Sequence, residues 1–121
     1  MISREKLNSQ LEYFTGTQQF YYLPLFRKFR YTDGIKFLAR EAECYWLLEF
    51  IFLAQDDIEV SSQVFQTWKI KVNSDNSCNI HVEDGNHNIV KSFEQIPFTD
   101  FPLESMELWF VNKTLMLKSE Y

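Results

Sequence analysis

The feature that most restricts the fold is a change of hydrophobic period near residue 63. Val64, Gln66, Trp68, Ile70 and Val72 alternate with Phe65, Thr67, Lys69 and Lys71. Such alternation belongs to a strand with one buried face and its lysine face towards water. Before it, apolar residues recur at helical spacing. Ser3 can cap a short helix that sets Leu7, Leu11 and Phe14 on one side, with Gly16 suited to the left-handed position beyond its end. Phe20-Tyr21-Tyr22-Leu23 reads as extended, and Phe29-Arg30-Tyr31 as a short strand. Thr32-Asp33-Gly34 reads as a turn that caps a helix from Ile35 to about Glu41. Cys44 to Ala54 is apolar almost all round apart from Glu49, the pattern of a helix in the middle of a core.

The second half continues in strands. Asn73-Ser74-Asp75-Asn76 is a turn cluster, and the next strand puts Cys78, Ile80 and Val82 on one side. Gly85-Asn86 fits a two-residue hairpin loop, a register that pairs Val82 with Ile89, Ile80 with Lys91 and Cys78 with Phe93. Asn112-Lys113 as the last turn pairs Phe110 with Leu115 and Leu108 with Leu117. Trp109, Val111 and Met116 then form a second apolar face. Together these patterns predict an α+β fold: a helical N-terminal half packed on one face of a four- or five-stranded antiparallel meander. With 121 residues there is room for one core, so residues 1–121 are expected to form a single domain.

Composition narrows the function classes. At 45% hydrophobic and 24% charged the chain is globular, and 17% aromatic residues supply a sizeable core. A formal charge of −5 disfavours non-specific nucleic-acid binding. The basic cluster Arg27-Lys28-Arg30 suits an acidic partner or, equally, a solvated surface strand. Two cysteines, Cys44 and Cys78, sit in apolar patterns and read as buried thiols rather than a disulfide framework. The first six residues lack the apolar core of a signal peptide, and the apolar run from Cys44 is too short to span a bilayer. A cytoplasmic protein without membrane association is expected.

Several stretches, in order through nearly the whole chain, carry a family resemblance. They are Phe14-Thr15-Gly16-Thr17, Tyr31-Thr32-Asp33-Gly34, Tyr45-Trp46-Leu47-Leu48, Phe65-Gln66 with Trp68, Asp84-Gly85-Asn86, Phe98-Thr99-Asp100-Phe101-Pro102-Leu103 and Ser119-Glu120-Tyr121. With these the chain resembles a family of small bacterial proteins, found also on plasmids and phages, known only as a domain of unknown function. Where that family often has a Gly-containing break, this sequence has Glu41-Ala42-Glu43. The resemblance implies one compact domain and carries no activity, cofactor or partner.

Chemical motifs are sparse. His81, Glu83, Asp84 and His87 invite a metal reading, but the two-residue loop turns the histidines to opposite faces, so no metal site is expected. There is no nucleophile elbow and no glycine cluster for a phosphate, and no cofactor is expected. Two Thr-Asp pairs follow aromatics, at Tyr31-Thr32-Asp33 and Phe98-Thr99-Asp100. They suggest a pocket of Tyr31, Asp33, Tyr45, Glu49 and Asp100, as in a small enzyme or ligand-binding protein. The plainer reading is that Asp33 caps a helix and Asp100 closes a turn. Glu49, in apolar surroundings, has two readings: the plainer is that it marks the wet edge of its helix, the other that it is at least half buried and paired with a basic or hydroxyl group. The favoured expectation is a non-enzymatic interaction module, self-associating or meeting a protein partner through Trp109, Val111 and Met116. The run Phe20-Tyr21-Tyr22 is the segment that would otherwise cover them.

Overall fold

In the structure, a computed structural model, residues 3–14, 19–96 and 101–121 are described, the side chain of Gln95 excepted. Helix α1 (Arg4–Leu11) starts where the Ser3 hydroxyl accepts the Lys6 N–H, and it buries Leu7 and Leu11. Strand β1 (Phe20–Tyr21) pairs antiparallel with β2 (Arg30–Thr32). In α2 (Asp33–Glu41) the cap is Thr32, whose hydroxyl accepts the Ile35 N–H, and not Asp33. Asp33 is instead the first helical residue, where the helix dipole favours a negative charge.

The break before α3 (Tyr45–Ala54) is sharp without a glycine. Glu43 takes φ 52°, and the Cys44 N–H returns to the Ala39 carbonyl at 2.9 Å. That is the bond of a Schellman helix end, with a glutamate in the left-handed position. A last short helix, α4 (Ile58–Ser61), is capped by Asp57, which also pairs with Lys91.

The strands β3 (Phe65–Val72), β4 (Cys78–Glu83), β5 (Ile89–Ile96), β6 (Ser105–Val111) and β7 (Thr114–Leu117) follow. The expected four or five antiparallel strands are corrected: the described residues form a mixed seven-stranded sheet in the order β1-β2-β7-β6-β3-β4-β5. β2 lies parallel to β7, and β6 returns beside β3 rather than extending the meander from β5. Strands of two and three residues are too short to show which sheet they join, and the β2 partner, β7, is far away in sequence.

One sheet face meets the helices. Trp68, Ile70, Ile80, Val82, Leu108 and Leu115 are buried there with Ile35, Leu38, Leu47, Ile51 and Phe52. Each such side chain contributes about 1.5–3 kcal/mol. Rings of α3 seat directly on it, Phe50 against Phe93 at 4.9 Å and Phe52 against Phe110 at 6.2 Å. The one polar residue at a core position of β3, Gln66, is met by Gln55 from the end of α3. The two amides exchange bonds of 2.9 Å each, and Gln66 Oε1 also accepts from Trp68 Nε1 at 2.9 Å. Both amide nitrogens and both amide oxygens are hydrogen-bonded, which is what makes burial of the pair tolerable.

The chain end is fastened likewise. After β7 a short 3-10 turn (Lys118–Glu120) brings the buried Glu120 carboxylate to the start of α2. It accepts from Thr32 Oγ1–H at 2.6 Å, the Gly34 N–H at 3.1 Å and the Leu117 N–H at 3.0 Å. A Cβ on Gly34 would lie 2.5 Å from Glu120 Oε1, so this approach requires glycine.

The last hairpin has the expected register, Phe110 with Leu115 and Leu108 with Leu117, around Asn112 and Lys113 at φ 52° and 60°. The β4–β5 hairpin does not. Ile80 pairs with Phe93 and Val82 with Lys91, with an irregularity before Glu83 pairs with Ile89. The Asp84 N–H bonds the Asn88 carbonyl at 2.9 Å and His87 sits at φ 67°, a three-residue loop closed on a left-handed residue. The Asp84 carboxylate builds it by accepting from the N–H groups of Asn86 and Asn88, which hold that carboxyl below its ordinary range.

Candidate binding face

The sheet face opposite the helices is laid out in rows across β6, β3, β4 and β5. Glu107, Lys69, His81 and Ser92 form one row, and Trp109, Thr67, Glu83 and Ile89 the next. Most of these side chains are exposed or half-buried. The polar end forms a groove of about 590 Å³ lined by Lys69, Lys71, Asn79, His81, Ser92 and Glu94 among others. At the other end three rings meet: Phe65 lies 4.9 Å from Trp109, and Tyr121 lies 5.1 Å from Trp109.

Between the two ends sits Glu83, 7% exposed. Its Oε2 lies 2.7 Å from His81 Nε2, and its Oε1 lies 3.3 Å from Lys69 Nζ and 3.6 Å from His87 Nδ1. Burial pushes its carboxyl up, but the bond from His81 and the Lys69 charge outweigh this and hold it below the usual range. Both histidines therefore approach one carboxylate, which corrects the expectation that they face apart: the three-residue loop and the bulge change the parity that a two-residue loop would impose. Lys69 already supplies the cation there. Among the described residues no group of three or more His, Cys, Asp or Glu is placed to hold a metal ion.

Trp109, Val111 and Met116 are half-buried on this open face, with Met116 opposite Trp109 and Val111 opposite Phe65. The Trp109 Nε1–H donates to Glu107 at 2.8 Å. Phe65 and Tyr121 lean on the indole. The run at Phe20-Tyr21 lies elsewhere, as β1 beside β2 at the sheet edge, which removes the alternative that it covers Trp109.

The second expected set is only partly gathered. Tyr31 is buried, and burial with the neighbouring phenols of Tyr45 and Tyr21 pushes its hydroxyl up. Asp33 accepts from the Tyr21 hydroxyl at 2.8 Å, beside Lys36 over the Tyr21 ring. Tyr45 is exposed. Glu49 is exposed on α3 and corrects the expectation of a half-buried, paired carboxylate: it is the wet edge of an otherwise apolar helix. Asp100 lies outside the described residues. Cys44 and Cys78 are buried free thiols. Sequence reasoning reaches Glu83 only within the discarded metal reading and misses the groove and the burial of that carboxylate between His81 and Lys69.

Residues 5–121 match a family of unknown function, DUF6876. The chain belongs to this family. No curated protein and no solved structure matches it. The family stretches in this chain are largely framework: Thr32, Gly34 and Glu120 make the terminal latch, Gln66 and Trp68 the amide network, and Asp84 the hairpin loop. Among the described residues no helix is long and apolar enough to cross a membrane.

Proposed function

We propose that the protein is a cytoplasmic, non-enzymatic interaction module that meets a second copy of itself through the open sheet face, centred on Trp109. The observation that carries this reading is the Phe65–Trp109–Tyr121 cluster, flanked by Val111 and Met116 and unmatched by any helix among the described residues. Aromatic residues and methionine surrounded by a polar rim are the anatomy of an interface core, and the charged rows beside them supply the rim.

Sedimentation at micromolar concentration is expected to give a species heavier than the 14.6 kDa chain, and Trp109→Glu to return it to monomer without unfolding it. A wild-type monomer whose indole is already shielded from a soluble quencher by Phe65 and Tyr121 would overturn the reading.

A further inference from the structure

Two charges in the polar groove are left over. Lys69 is held by Glu83, and Glu107 is taken by the Trp109 indole. Lys71 and Glu94 line the same groove, and among the described residues neither side chain makes an ion pair or a hydrogen bond. They stand on β3 and β5 with β4 between them, so their backbones are roughly 10 Å apart at the usual strand spacing. Both side chains are long enough to lean over the intervening Asn79 and His81. A carboxylate only accepts, so His81 gives its Nε2–H to Glu83. The volume of about 590 Å³ is that of a small-molecule site.

We propose that this groove binds a small zwitterion of the amino-acid or dipeptide class, its carboxylate on Lys71 and its ammonium on Glu94. A dianion sets like charge against Glu94, and a dication does the same to Lys71. A ligand with both charges satisfies both walls at once. The proposal rests on the open face being a recognition surface, yet it needs neither Trp109 nor self-association.

An amide-resolved NMR titration of the full chain with glycylglycine, succinate, putrescine and uncharged N-acetylglycinamide, at matched ionic strength, tests it. Glycylglycine is expected to give saturable shifts at Lys71, Asn79, His81 and Glu94, and to bind more tightly than the other three. Lys71→Ala and Glu94→Gln should each weaken it by about tenfold or more, the loss expected for one charge-assisted contact. Succinate, putrescine or N-acetylglycinamide binding as tightly as glycylglycine, or no saturable shift with any of them, overturns the proposal. Failure of the interaction reading shows separately, as a monomer in sedimentation, whatever glycylglycine does.

Discussion

The two faces of the sheet treat polar groups in opposite ways. On the helix side buried amides are hydrogen-bonded to each other, as in the Gln55–Gln66 exchange. The open face leaves charges unpaired at Lys71 and Glu94 and keeps an aromatic cluster half in water. Solvent makes the difference. Behind the helices an orphaned group has no water to turn to, whereas on the open face water serves until a ligand or partner replaces it. The covered face therefore holds the fold, and the open face is where the proposed binding is to be tested.

Substitutions can break that contrast, beginning with the largest effect. Gln66→Leu should destabilise the fold by about 3–4 kcal/mol in chemical denaturation, because it orphans the Gln55 amide and the Trp68 N–H together. Gly34→Ala should cost about 2 kcal/mol by forcing the Glu120 carboxylate off the start of α2. If either melts like wild type, the covered side is looser than described.

Acid tests Glu83, a buried carboxylate of the open face. Glu83 titrates below its ordinary range in the folded chain, so the unfolded chain takes up the proton first as pH falls. Its stabilisation is complete above the unfolded carboxylate value and is lost as pH drops through the folded one. Urea midpoints between about pH 5 and pH 2 should thus fall less steeply in Glu83→Gln than in wild type. Equal slopes would mean that the His81 and Lys69 contacts are not formed in solution.

Smaller effects sharpen the picture. Glu43→Gly should raise stability by about 0.5–1 kcal/mol, since it relieves a left-handed glutamate at an exposed helix end. Glu49→Ala should lie within about ±0.5 kcal/mol of wild type, as expected of an exposed position. A larger loss would restore the paired carboxylate that its apolar surroundings first suggested.

Much of the helix side is legible in the sequence. The Ser3 cap, the three helical stretches, the β3 alternation and the last turn all follow from local rules, and each has its partner within a few residues. The β4–β5 register was harder because its loop closes on His87, a residue that does not advertise a left-handed backbone as glycine does. That one error of parity also hid the meeting of His81 and His87 at Glu83. Gln66 did carry a signal, a polar residue at a core position, but nothing local names Gln55 as its partner.

By itself the sequence determined the α+β class, the period of each long element and which residues of β3, β6 and β7 face inward. Side-chain periodicity is a property of the local backbone, and burial only has to respect it. Tertiary structure alone decided that β2 lies parallel to β7, that Glu120 closes on Thr32 and Gly34, and that Lys71 and Glu94 face one groove unpaired. Those pairings join residues far apart in the chain. They depend on which surfaces remain after the core has closed, and no window of sequence contains that information.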